Sequence, residues 1–209
     1  MVGAVAIGWF ILADFECFIS RYDHAIGKAD FATFVEPVWA QRCALLSLGG
    51  QSRRADLVEH SLKYAEACRA NGLHQLALDR LASLKELKLS AADMARVEFE
   101  ETLALWSSGE QEMGRFLLER IGAKLEGTGS PMCPEVLGTL GKWLFELKAE
   151  SNGVILERYL QKSIQLYEQS GSGATATGKV VDAYASMAEF CDAQYKQGGK
   201  SLDIFLVLA

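Results

Sequence analysis

Proline is scarce: the chain has three in 209 residues, and two of them, Pro131 and Pro134, sit together in a turn-like stretch. Proline removes a backbone donor and clashes with the preceding turn, so long helices meet few obstacles here. Positive charge is in deficit, with 21 Lys and Arg against 27 Asp and Glu and a formal net charge of −6. Phosphate binding draws its affinity from clustered Lys and Arg, so no direct nucleic-acid partner is expected, and Arg53-Arg54 is too small a patch to reverse that. Long hydrophobic runs are also missing. The apolar stretch from Met1 to Ala13 is cut by Asp14 and Glu16, whereas a membrane-spanning helix needs about 20 residues. It lacks the basic start and small-residue cleavage site of a secretory signal, so no membrane partner is expected and the run reads as a core helix or a product of where the chain begins.

The five cysteines, Cys17, Cys43, Cys68, Cys133 and Cys191, have no C-x-x-C spacing that could start a zinc or redox site. They read as small apolar core side chains of a reducing cytosol or nucleus. Motifs of chemistry are missing too. Gly199-Lys200-Ser201 has the end of a phosphate loop, but the required glycine five positions before Gly199 is Gln194 and no strand precedes it. The glycine-rich lid, phosphate-binding lysine, catalytic-loop Asp with Asn and metal-binding Asp of a protein kinase do not occur, nor does a G-x-S-x-G elbow. His60 and His74 have no acidic or cysteine neighbour at ligand spacing and are expected to be surface or capping residues. Glu98, Glu100, Glu101, Glu110 and Glu112 are spread around helices and are expected to form a charged outer face. The expected catalytic, cofactor-binding and metal-binding residues are therefore none, and no cofactor is implied.

Half of the residues are apolar, enough to bury a core as one domain or one elongated array. Breaks at Gly49-Gly50, Asn71-Gly72, Leu89-Ser90, Ser108-Gly109, Gly127 to Ser130, Ser151 to Gly153 and Gly171 to Gly173 separate segments of helical length. Between them the apolar period is three to four. Ile155, Leu156, Tyr159, Leu160, Ile164 and Tyr167 form one stripe, with Glu157, Arg158, Gln161 and Lys162 opposite. Leu57, Leu62, Tyr64, Ala65 and Cys68 form a second stripe, and Met94, Val97, Leu103, Ala104 and Leu105 a third. Of the four tryptophans, Trp9, Trp39, Trp106 and Trp143, the last two sit on apolar stripes where large side chains lock helix pairs.

Asn71-Gly72 predicts a helix end, because glycine tolerates the left-handed conformation there, and Leu73 restarts an apolar pattern. The same plan recurs: Ala67 to Gly72 with Leu76-Ala77 and Leu81 aligns with Ala104 to Gly109, Met113-Gly114 and Leu118, at an offset of 37 residues (109 − 72). Such a period, with small residues where helices cross, predicts an all-α fold of tetratricopeptide-like helical hairpins, an α-solenoid segment. The loop from Gly171 to Gly178 is small, nearly uncharged and expected to project between the last two long helices.

The order of motifs then resembles a family. Glu36-Pro37-Val38-Trp39-Ala40-Gln41-Arg42 is similar to the E-P-x-x-A-x-R motif of kinases related to the phosphatidylinositol 3-kinases. Glu98 to Trp106 with Gly109-Glu110-Gln111 is similar to a helix and charged turn that recur in the FAT regions of that family. Gly141 to Leu144, Val154 to Lys162 and Met187 to Tyr195 resemble, in order and spacing, its nuclear branch that responds to DNA double-strand breaks. The resemblance implies a FAT-type segment over residues 36–197, a non-catalytic scaffold supporting and regulating a serine/threonine kinase domain of the same parent chain. It also implies a homodimeric parent and nuclear localisation; without the resemblance, a cytosolic protein is expected. Residues 1–35 match nothing in the family and 198–209 form an apolar tail, so both are expected to be edges of a truncated or misjoined gene product. The alternative is a freestanding helical-repeat adaptor that holds a partner's helix or tail in its groove.

Overall fold

A computed structural model describes residues 33, 35–169 and 174–198. The expectations for the apolar run at Met1 to Ala13, for Trp9 and Cys17, and for the tail from residue 199, with its Gly199-Lys200-Ser201, lie outside these residues. The described chain is all-α, without a strand among the described residues. It forms two compact units, the first ending at Glu110 and the second beginning at Gln111.

The first unit holds α1 (Glu36–Leu48), a 3-10 turn (Gly50–Arg53), α2 (Arg54–Ala70), α3 (His74–Lys85) and α4 (Ala91–Ser108). Pro37 opens α1, in the first turn where its missing N–H costs nothing. Asn71 and Gly72 end α2, and Gly72 has φ +78°, the left-handed conformation its position demands. Ser90 caps α4 by accepting the Asp93 backbone N–H at 3.1 Å, and Gly109 ends that helix at φ +99°. The equivalence of the two Gly turns is thus a backbone fact. Its small-residue partners agree, since Ala77 and Gly114 are both buried, as are Leu81 and Leu118. Each helix packs on the next, and α2 also meets α4. Between them lie Cys43, Val58, Tyr64, Ala65, Cys68, Ala77, Leu81, Val97 and Ala104.

Ion pairs lace the same helices together. Arg69 holds Glu100 at 2.7 Å, Lys85 pairs with Glu101, and Arg96 reaches Glu59 at 2.6 Å. This corrects the expectation of a solvated carboxylate face: Glu98, Glu100 and Glu101 are half-buried, and the Glu100 side chain is 13% exposed. Residues at 3.6 per turn that look dispersed along one helix meet cations of the neighbouring helices. Glu110 and Glu112 are exposed, as expected.

The second unit holds α5 (Gln111–Leu125), α6 (Cys133–Glu146), a composite α7 and α8 (Ala174–Gly198). Helix α7 begins as one α-turn (Asn152–Val154), widens into a π-helix (Ile155–Gln161) and returns to α-helix (Lys162–Gln169). The periodic stripe there is real, with Ile155, Leu156, Leu160, Ile164 and Tyr167 buried. Its uniform α period is not. The widening occurs where α6 approaches closely: a Cβ on Gly141 would lie 3.0 Å from Tyr159 Cβ and 3.1 Å from Leu160 Cδ2. The π turn, bonding i to i+5, spans this contact, with Ile155, Leu156 and Leu160 all buried.

Gly138 lies beside Ser163 and Gly141 beside Tyr159, so α6 and α7 run antiparallel. Tyr184 donates to Glu168 at 2.7 Å, and Asn152 bonds Gln194, so α7 and α8 are antiparallel as well. Helices α6 and α8 therefore run side by side in the same direction, flanking α7. Phe145 of α6 meets Phe190 of α8 edge-on, 4.9 Å between ring centres. The expected loop at Gly171 to Gly178 is corrected from Ala174 onward, where α8 begins, and its first three residues lie outside the described ones. Small Ala and Thr residues between glycines read as linker from composition, which cannot show that the longer helical segment after them already starts at Ala174.

Candidate functional site

Two polar constellations stand out, one in each unit. In the first, the Glu36 to Arg42 motif is spent on joining α1 to α2. Tyr64 donates its hydroxyl to the Glu36 carboxylate, and the Arg80 guanidinium lies over the Tyr64 ring, 5.2 Å from its centre. Trp39 stacks on His60 with 4.9 Å between ring centres and 20° between planes. The His60 Nε2–H donates to the Trp39 carbonyl at 3.2 Å, in the tautomer that this acceptor requires. His60 is only 7% exposed, which corrects its expected surface or capping role. One histidine among polar neighbours has no period of its own, and its burial was set by an aromatic partner 21 positions away. His74 opens α3 and is half-buried.

The electrostatics of this cluster favour neutral side chains. Burial pulls His60 down to about 4, with Arg42, Arg80 and Lys63 adding repulsion against the Trp39 hydrogen bond. Burial, then the negative charge of Glu36, pushes Cys68 up to about 12. Burial also raises Cys43, which lies 3.5 Å from the Ser61 hydroxyl, and Tyr64 is raised by burial and by its bond to Glu36. Burial raises Cys133 and Cys191 as well. A thiolate nucleophile needs the opposite shift. Three described cysteines are buried and Cys191 is half-buried, as apolar filling requires. Among the described residues, no three His, Cys, Asp or Glu side chains are grouped to hold a metal, and no helix is long and apolar enough to cross a membrane.

The second constellation is a groove of about 270 Å³ in the second unit, walled by α6 and α8 and floored by α7. Gly138 and Leu160 lie at its base, with the Ser163 hydroxyl donating to the Pro134 carbonyl at 2.6 Å. At one end Lys179 of α8 pairs with Glu135 of α6 at 2.7 Å. Tyr167 at that end is raised to about 12, by burial first and then by the Glu135 and Asp182 carboxylates. Thr139, Lys142, Asp182 and Ser186 complete the walls. The sequence placed Leu160 and Tyr167 on an apolar stripe and Lys142 inside a family-like motif, but singled out none of the lining residues as a site residue. The available signal was Gly138 on α6 facing Ser163 inside the apolar stripe of α7, with Gly141 one turn on facing Tyr159 and Leu160, a pattern of close helix approach beside a polar atom.

No protein-family model matches the chain. Among curated proteins it is similar to Serine-protein kinase ATM of Sus scrofa, 24% identical over 196 aligned residues that cover 85% of this chain. The chain spans about 6% of the length of that relative. It thus resembles one short stretch of a kinase of the kind whose motif order Glu36 to Tyr195 follows.

Proposed function

We propose that the chain is a FAT-type helical scaffold segment of a phosphatidylinositol 3-kinase-related serine/threonine kinase, which supports and regulates the kinase domain of its parent chain. The observation that carries this reading is the similarity to the ATM kinase along 85% of the chain. Two structural features support it. Within each unit the helices pack each on the next, with α2 on α4 in the first and α6 beside α8 in the second, as paired helices of a repeat do. The family-like Glu36 to Arg42 residues hold helices together and leave no nucleophile or acid–base pair exposed. The parent on this reading is a nuclear, dimeric kinase of the DNA-damage response, and the chain itself phosphorylates nothing.

Immunoprecipitation of the native protein, with antibodies raised against this chain, tests the reading by the size and peptides of what is recovered. A large polypeptide that also yields kinase-domain peptides is expected. A product no longer than this chain would refute the scaffold and favour a freestanding helical adaptor. Purified chain incubated with ATP and magnesium should transfer no phosphate; turnover abolished by a single substitution in it would equally overturn the proposal.

A further inference from the structure

Every charged side chain of the second unit's groove but two is occupied. Lys179 is held by Glu135, whereas the Lys142 ammonium and the Asp182 carboxylate enter no ion pair among the described residues. They stand on opposite walls. Lys179 is level with Glu135, so in parallel helices Asp182 is level with Gly138, four residues before Lys142 (142 − 138). At 1.5 Å per helical residue the two charges are offset by about 6 Å along the groove. Alternate side chains of an extended peptide point the same way and are about 6.6 Å apart. The volume, about 270 Å³, lies below the roughly 300–1,000 Å³ of ordinary small-molecule pockets and suits a pair of side chains.

We propose that this groove docks an extended segment of a partner protein in which a Lys or Arg and an Asp or Glu are separated by one residue. The basic side chain meets Asp182, the acidic one meets Lys142, and the intervening side chain points to solvent. Hydroxyls of Ser163 and Ser186 each donate to a backbone carbonyl, of Pro134 and Asp182, and keep acceptor capacity for the peptide's N–H groups. Such recognition uses charge order for specificity more than for strength. The inference stands on the groove alone and is independent of the kinase-scaffold reading.

The test is an amide-resolved NMR titration of the full chain with three blocked pentapeptides: alanine-lysine-alanine-aspartate-alanine, and its versions with two lysines or two aspartates. The mixed peptide should bind best and shift the amides of Thr139, Lys142, Ser163 and Ser186. Asp182→Lys should weaken it about tenfold or more, and adding Lys142→Asp should restore binding with the peptide direction reversed. Both positions are exposed, so the fold should survive; should Asp182→Lys not fold, Lys142→Asp alone must show the loss. Equal binding of the three peptides, shifts confined to other residues, or folded single variants that bind undiminished would overturn the proposal.

Discussion

Acid should weaken the first unit through one residue, His60. Its folded value of about 4 lies below its ordinary 6.5, so the unfolded chain takes up the proton first. The sign follows from linkage: the stability held by neutral His60 is complete above about pH 6.5, shrinks as the pH falls, and is gone by about pH 4. A gap of about 2.5 units corresponds to about 3 kcal/mol in total, of which about 2 kcal/mol is lost by pH 5. The cause is geometric. An imidazolium would sit between the Trp39 ring and the backbone with 7% of its surface exposed, repelled by Arg42, Arg80 and Lys63.

The assay compares urea unfolding of the wild type and of His60→Phe at about pH 7.5 and about pH 5. Phenylalanine keeps a ring against Trp39 and removes the proton. Carboxylates titrate in both proteins, so the difference between the two pH dependences isolates His60. Wild type should lose about 2 kcal/mol more than the variant, and amide exchange at Ser61 to Ala65 should accelerate selectively at the lower pH. Equal pH dependence in the two proteins, or a His60 titration midpoint near its ordinary value, would refute the burial argument.

Four further substitutions test packing and backbone. Gly141→Val should destabilise the second unit by about 1–3 kcal/mol in thermal melts, because a Cβ there meets Tyr159 and Leu160 at 3.0 and 3.1 Å. Gly109→Ala should cost about 1–2 kcal/mol, since φ is +99° with open space around it. Gly153→Ala, also in open space but in a helical turn, should add about 0.4–1 kcal/mol; the two changes moving stability the same way would disprove the backbone account. Leu81→Ala, at a site with 0% exposure, should cost about 2–5 kcal/mol by chemical unfolding.

What the sequence made legible was whatever repeats locally. Helical breaks at Gly72, Ser90 and Gly109 could be read because a left-handed turn and a hydroxyl cap each demand particular residues at particular places. The stripes on α2 and α7 could be read because burial imposes a period, whereas on α4 only Val97 and Ala104 of the expected stripe are buried, beside Ala95, Phe99 and Thr102, and Met94, Leu103 and Leu105 are half-buried. The π segment was hidden, since Ile155 to Tyr167 has apolar residues at spacings that both helix types satisfy. The π segment coincides with the close contact at Gly141, which joins residues 18 positions apart (159 − 141) and so leaves no local pattern. The helical start at Ala174 was hidden for the opposite reason, because a run of Ala, Thr and Gly carries almost no pattern.

The polar side chains invert the usual relation between motif and site. Glu36, Trp39, His60 and Tyr64 look like functional residues by type, but the Tyr64–Glu36 and His60–Trp39 hydrogen bonds and the Trp39–His60 stack join α1 to α2. Lys142 and Asp182 look like ordinary surface charges by type, yet they line a groove and remain without ion-pair partners among the described residues. A motif read along one helix cannot separate these cases, because what distinguishes them is whether a second helix supplies the complement. Where α2 supplies it, conserving charge and aromaticity serves stability. Where α6 and α8 leave it open, the same physical need for a partner is met from outside the chain, and that is where binding specificity is to be sought.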